Sequence, residues 1–369
     1  MDGTTRRPLR ALACLLAACG LAAGAASPRP AAAGPAAGRG DVLQAGPPGA
    51  ELTLTLATGS PRLARAGERG VALELPEGAA PTAVAALAEG WAVAGTRPDG
   101  GGGTRLFLVV GFAGRPRPLA PPPGWDGAVR RDPVLLVDDG RLAGAAWLEG
   151  DATGRLGVRA AAFDGERWGA PEPVAPPGPG SQLALAGAVL DDGSWLLAWS
   201  AFDGGDDEIV WAQRLGGSWL PAARLGADNA VPDITPALAA TAGGGAVAAW
   251  SRYDGREYRL RTARFERGEW RLEEWAGSAG SLFPSFAGTR EKPWLLYRDA
   301  RAAGWAVAEV APAGEERTLP ARRLAADTPS ERPAVIAEDG APLLVWPAAG
   351  DGSTLRVRPR ASGAAEGGR

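Results

Sequence analysis

A tryptophan-centred phrase returns along this chain about every fifty residues, and that period constrains the fold more tightly than any single motif. It reads Leu196-Leu197-Ala198-Trp199-Ser200, Val247-Ala248-Ala249-Trp250-Ser251, Trp294-Leu295-Leu296-Tyr297-Arg298 and Leu343-Leu344-Val345-Trp346. Upstream, Gly144-Ala145-Ala146-Trp147 and Trp91-Ala92-Val93-Ala94-Gly95 continue the series. Positions 95, 147, 199, 250, 297 and 346 stand 52, 52, 51, 47 and 49 residues apart. That is the length of one propeller blade and is too long for most helical repeats. Six phrases predict an all-β fold, a six-bladed β-propeller of four-stranded antiparallel blades.

Residues 232–275 show how one repeat builds one blade. Pro236 to Ala240 is a short apolar run suited to an inner strand, and Gly243-Gly244-Gly245 supplies the hairpin turn. Ala246 to Trp250 makes the second strand. The alternating Tyr258 to Phe265 makes a half-exposed third, and Gly268-Glu269-Trp270 turns into the fourth. Pro81, Pro133, Ala184, Pro236, Pro284 and Pro333 recur in the same register and are expected to open the inner strands, where the missing N–H is tolerated. The phrase tryptophan is expected to pack between adjacent blades. The sixth repeat stops after its third strand, Thr354 to Arg358, while Gly70 to Leu75 precedes the first inner strand. Joining the two predicts a ring closed by N- and C-terminal strands, with no free edge. Glu51 to Leu56 either pairs beside that strand or competes for its place.

Composition narrows the chemistry. The chain has 369 residues, 46% apolar, with a net charge of −3, so it can bury a large core and lacks the basic surface that nucleic acid demands. It has no histidine, which removes histidine bases, imidazole metal sites and the Ser-His-Asp triad. Its two cysteines, Cys14 and Cys19, both lie near the N-terminus, so the folded body carries no disulfide or thiolate. No cofactor is expected.

Arg6, Arg7 and Arg10 precede a short apolar stretch from Ala11 to Ala18, the pattern of an export signal. The stretch ends in Leu16-Ala17-Ala18-Cys19, which resembles the lipobox of bacterial lipoproteins and implies lipidation at Cys19. Gly20 follows where an aspartate marks inner-membrane retention, so the resemblance implies outer-membrane sorting in a Gram-negative cell. Cleavage near Ala23-Gly24-Ala25 or Ala26, giving a periplasmic or secreted chain, is the alternative. The expected organisation is a signal over 1–19, an Ala/Gly/Pro-rich tether over 20–49, one propeller over 50–360 and a flexible tail over 361–369.

The turns Asp164-Gly165-Glu166-Arg167-Trp168, Gly217-Ser218-Trp219 and Gly268-Glu269-Trp270 resemble the Asp-box hairpins of sialidase-like propellers, with only the glycine and tryptophan well kept. The resemblance implies that these turns are structural and lie away from the functional face. A catalytic member also needs an arginine triad, a tyrosine nucleophile with a glutamate, and an aspartate acid/base. Arg131-Asp132-Pro133 matches the family's Arg-Ile-Pro signature at two positions, and the full set does not assemble.

Polar clusters fall in the loops between second and third strands and between blades, which share one face around the channel mouth. They are Asp203, Asp206, Asp207 and Glu208; Asp228, Asn229 and Asp233; Arg252, Tyr253, Asp254, Arg256 and Glu257; and Arg298, Asp299 and Arg301. The expected ligand-binding set is Arg131, Asp203, Asp233, Arg252, Tyr253, Asp254, Arg298 and Asp299. Asp203, Asp206 and Asp207 are candidates for calcium, although they lack EF-hand spacing. Together these readings predict a monomeric, lipid-anchored binding or scaffolding module of the bacterial cell envelope, its ligand a glycan or an envelope protein. A sialidase-like glycoside hydrolase acting on the same face is the alternative.

Overall fold

The computed structural model describes residues 42–45, 51–56, 61–65, 70–101, 103–112, 115–123, 129–273, 279–301, 304–310, 322–324, 329, 331–347 and 354–361. Cys19, the signal stretch, the tether up to residue 41 and the tail beyond residue 361 lie outside them. The described residues contain strands and no helix, arranged in seven antiparallel sheets, each one blade.

The first blade comprises Val42–Ala45, Leu52–Thr55, Arg62–Arg65 and Val71–Ala72. The second comprises Ala80–Leu87, Gly90–Pro98, Thr104–Phe112 and Arg115–Pro118. The third runs through Arg130–Asp138, Arg141–Gly150, Leu156–Ala162 and Glu172–Ala175. The fourth has Gln182–Val189, Trp195–Phe202, Asp207–Leu215 and the short pieces Ser218–Trp219 and Ala223–Arg224. The fifth has Asp233–Thr241, Gly245–Tyr253, Tyr258–Glu266 and Glu269–Glu273. The sixth is Ser281–Gly288, Pro293–Asp299, Gly304–Glu309 and Arg322–Leu324, and the seventh Ala334–Glu338, Ala341–Pro347 and Thr354–Val357.

Seven blades replace the six expected, because the first carries no tryptophan phrase. Its core is leucine: Leu52, Leu54, Leu63 and Leu73 pack on Trp91, Val93, Phe107 and Val109 of the second blade. The phrase therefore marks the second to seventh blades only. Glu51 to Leu56 supplies the second strand of the first blade. Val71–Ala72 pairs with Arg62–Arg65 as its fourth, so it does not complete the last blade. The first described strand, Val42–Ala45, lies inside the stretch expected as tether.

Ring closure is correspondingly different. The seventh blade has three strands among the described residues, and the C-terminal Arg360–Ala361 turns back to extend the outer edge of the sixth. The seam between seventh and first blades is bridged by side chains. Gln44 Nε2 donates to the Val335 carbonyl, and the Val335 N–H donates back to Gln44 Oε1 at 2.5 Å. Glu51 Oε1 accepts the Ala337 N–H at 2.8 Å. One side-chain amide thus satisfies both backbone groups of a residue on an edge that would otherwise be unpaired.

The phrase aromatics pack as expected, each against the preceding blade. Trp147 sits among Ala94, Leu106 and Leu108; Trp199 among Leu136, Leu148 and Val158; Trp250 among Ala198 and Ile209. Tyr297 lies on Val247 and Leu260, and Trp346 on Trp294, Leu296 and Trp305. Burying such aromatics dominates the energetics of these interfaces.

Pro81 is the second residue of Ala80–Leu87 and Pro333 directly precedes Ala334–Glu338, so these two stand at strand starts as expected, but the other three sit deeper. Pro133, Pro236 and Pro284 each occupy the fourth position of an inner strand, directly after a residue of positive φ: Asp132 (51°), Thr235 (54°) and Phe283 (56°). The ladder register slips at these points, so each proline falls in a β-bulge and no paired N–H is lost. In the fourth blade the positive-φ residue is Ala184 (52°), which makes Leu185 the counterpart of the prolines. Serine from the preceding blade secures two of the bulges. Ser200 Oγ accepts the Thr235 N–H at 3.2 Å, and Ser251 Oγ accepts the Phe283 N–H at 3.1 Å.

Candidate functional site

The inner strands enter, and the second strands leave, at one end of the ring, the mouth expected to carry ligand. There the fourth and fifth blades build a bonded polar network. Asp233, 2% exposed, opens the inner strand of the fifth blade directly opposite Arg252. Its Oδ1 accepts from Trp250 Nε1 (2.9 Å) and Arg252 Nε (2.7 Å), and its Oδ2 from Arg252 Nη2 (2.6 Å) and Asn229 Nδ2 (3.0 Å). Asn229 bridges to the fourth blade: its backbone N–H and Nδ2 donate to Glu208 Oε1 at 3.1 and 3.0 Å.

Two carboxyls in this network have raised pKa values. Glu208, 2% exposed, is pushed up to about 7, first by burial and then by Asp233 and Asp206, against the pull of the Asn229 N–H. Asp206 is pushed up to about 6 by burial and by Asp203, Asp233, Asp228 and Asp207, and its Oδ2 is buried with no partner. Burial likewise raises Asp207. Near neutral pH, Glu208 can either donate or accept a hydrogen bond at a fixed place.

The remaining expected residues divide. Asp203 joins the rim of the network: its Oδ2 meets Arg224 Nη2 at 2.8 Å, and Arg224 Nη1 meets Asp228 at 2.7 Å. The N–H groups of Gly205 and Asp206 hold Asp203 Oδ1, and with Arg224 they lower its pKa. Tyr253 follows Arg252 on the same strand, but alternation turns its ring to the other face of the sheet, toward the sixth blade; its N–H donates to Pro232 O at 3.0 Å, and its ring lies 5.2 Å from that of its cross-strand partner Tyr258. Both tyrosines are half-buried. Asp254 is spent on its own turn: Arg259 and the N–H groups of Glu257 and Arg256 hold its carboxyl far below the usual range.

Arg131 lies apart, in the third blade, 3.3 Å from Asp132, whose carboxyl burial pushes up. Asp299 is 1% exposed and pairs across strands with Ser281, so it is an interior residue where an exposed charge was expected. Arg298 lies over the Trp305 ring at 5.9 Å. Arg301 ties the sixth blade to the fifth at the rim, its Nη2 meeting Glu257 Oε1 at 2.7 Å. Among the described residues, no three acidic side chains are grouped to hold a metal ion, and the calcium candidate Asp203 is occupied by Arg224.

A cavity of about 820 Å3 lies between the inner strands, walled by Val84, Leu135, Gly187, Leu238 and Phe286. It extends toward the end opposite the mouth. There Arg290 of the sixth blade reaches past the fifth to Asp191 of the fourth, whose Oδ2 also accepts the Gly244 N–H at 2.9 Å.

The protein is a seven-bladed β-propeller. No family model matches the chain, and no curated protein matches it. Among solved structures it is similar to the polysaccharide lyase Uly1 (11% identity, 89% of this chain and 91% of that one, TM-score 0.55). It is also similar to the BP39L lectin from Burkholderia pseudomallei (15% identity, 88% and 100%, TM-score 0.51). A mutant Trypanosoma rangeli sialidase matches at 12% identity over 63% of this chain and 45% of its own, with a TM-score of 0.42.

Proposed function

We propose that this propeller is a non-catalytic glycan-binding module, seating its ligand on the mouth face over the strand ends of the fifth blade. One observation carries the reading: at the mouth end of the fifth blade, the half-buried Tyr253–Tyr258 pair on one face of the sheet and the bonded set of Asp233, Arg252, Asn229 and Glu208 on the other flank the same strand ends. Aromatic faces suit the apolar side of a sugar ring, and fixed carboxylate, amide and guanidinium groups suit its hydroxyls. Acidic residues outnumber basic ones here, which favours a neutral or amino sugar over an anionic one. A lectin and a polysaccharide lyase among the proteins of similar fold support the choice of ligand class.

A sialidase-like hydrolase fits less well, because Arg131 and Arg252, two arginines such an enzyme needs free for a substrate carboxylate, are already paired with Asp132 and Asp233. Glycan-array binding followed by calorimetry tests the proposal: native protein binds, and Tyr253→Ala weakens binding without unfolding. Equal binding by native protein and Tyr253→Ala, or turnover of sialosides, overturns it.

Export and tethering through Cys19 belong to the same proposal. Mass spectrometry of protein purified from bacterial membranes is expected to find an acylated N-terminal cysteine. An unmodified chain starting near Ser27 removes the anchor from the proposal.

A further inference from the structure

We propose a second binding site on the mouth face, for an oxyanion, built from Arg97 and Arg105 of the second blade. The two residues are direct cross-strand partners at the end of the second and third strands, so their side chains rise on the same face of the sheet. That face is the one that also presents Trp91, Val93, Phe107 and Val109 to the first blade, which sets both arginines at the top of the cleft between the first two blades. Each is half-buried, with Nε sealed from solvent and bonded to nothing.

The neighbouring acids do not neutralise them. Asp99, at the tip of the same hairpin, feels the Arg105 charge, yet its Oδ1 is taken by the N–H groups of Gly101 (2.7 Å) and Gly103 (2.9 Å). It forms no ion pair with either arginine among the described residues. Elsewhere on the mouth face the pattern is the reverse. Arg130 has Glu149, Arg131 has Asp132, Arg224 has Asp203 and Asp228, Arg252 has Asp233, Arg259 has Asp254, and Arg301 has Glu257.

Two like charges directly opposite in a ladder destabilise it, and a sealed guanidinium N–H without an acceptor adds to that. An oxyanion seated between the two forks resolves both, accepting from two planar donor arrays at once. Carboxylate, sulfate and phosphate share this chemistry. The site belongs to different blades from Tyr253 and the Asp233 network, so it stands or falls independently of the glycan reading.

Calorimetric titration with sodium sulfate, sodium phosphate and sodium acetate, at ionic strength fixed with chloride, tests it. The three arms tell tetrahedral from planar anions. Native protein is expected to bind at least one of them at a single site, with Arg97→Gln and Arg105→Gln each weakening it at least about tenfold, the scale of one lost charge-assisted fork. Arg167→Gln, on an exposed turn at the opposite face, is the control and keeps native affinity. In chloride buffer without sulfate, phosphate or acetate, both glutamine variants are expected to melt at or above the native temperature, since each removes one of two opposed charges. No saturable binding by native protein, equal binding by the glutamine variants, or a lower melting temperature in both overturns the proposal.

Discussion

Arg252 grips Asp233 at two points, Nε to Oδ1 at 2.7 Å and Nη2 to Oδ2 at 2.6 Å, across the first two strands of the fifth blade. The third blade carries the same cross-strand pair with the charges exchanged. There Arg130 is on the inner strand and Glu149 on the second, 2.8 Å apart, and the phrase tryptophan again donates to the acid, Trp147 Nε1 to Glu149 Oε2 at 3.3 Å. Fourth and sixth blades fill the position with Gln182 opposite Ala201 and Ser281 opposite Asp299.

Removing either partner leaves a buried group uncompensated. Asp233→Ala and Arg252→Ala are each expected to lower unfolding free energy by about 3–5 kcal/mol, measured by guanidinium denaturation. This differs from what an exposed loop arginine would show, about 0–1 kcal/mol. The double exchange Asp233→Arg, Arg252→Asp, which installs the charge order of the third blade, is expected to be more stable than either single alanine variant. Additive losses would show that the position does not tolerate exchange.

Stability is expected to fall as pH rises from 4.5 to about 7. Glu208 has an ordinary pKa of 4.5 and a folded value of about 7; Asp206 moves from 3.8 to about 6. In that window the unfolded chain releases protons that the folded protein retains, so ionisation favours unfolding, and the loss is complete above the folded values. The carboxyls held low, Asp203 and Asp254 among them, act below their ordinary value of 3.8 and leave the range above it to the raised carboxyls, which include Asp207 and Asp132. Melting temperature against pH should slope downward through it, and Glu208→Gln should flatten the slope. An unchanged slope in that variant would assign the effect to other groups.

The side-chain seam between first and seventh blades should behave as a stabilising clasp. Gln44→Ala strips both partners from Val335 and is expected to cost about 1–3 kcal/mol, the penalty of orphaned backbone groups. Glu51→Gln, which keeps an oxygen for the Ala337 N–H, should cost less than Glu51→Ala. Thermal melts of the three variants check the order.

Ser251 is 1% exposed, accepts the Phe283 N–H and lies 3.0 Å from Thr235 Oγ1. Ser251→Ala is expected to cost about 1–3 kcal/mol for the stranded Phe283 N–H. Hydrogen exchange should accelerate at Phe283 more than at the neighbouring strand amides. Uniform acceleration would show that the serine serves only to fill space.

What the sequence disclosed follows from which residues do the packing. Trp147, Trp199, Trp250 and Trp346 are large, fully buried and unmistakable, so the blades they mark were legible. The first blade was not, because three of its four strands have four residues, the last has two, and ordinary leucines do the packing. The acids of the site show the same limit. Asp233 and Asp254 look alike in sequence, yet one starts an inner strand between blades and is interior, while the other caps an exposed turn. Glu208 ends an acidic run that reads as a loop, but it is the second residue of the strand Asp207–Leu215, and that placement raises its pKa. The bulges escaped notice because a proline reads the same at a strand's start and at a slip in its register.

Gln44 and Val335 are 291 residues apart, so the clasp between them is the last event of assembly. Through most of translation the chain can build only an open arc, growing one hairpin pair at a time by local contacts, with a single long-range step left for the end. During that wait the first blade stands as a terminal cap with one flank bare, and its four-residue strands keep the bare edge short. The seam that forms last rests on a few side chains and no shared sheet. It is also where the circle is expected to part first under force or heat, leaving a horseshoe of blades.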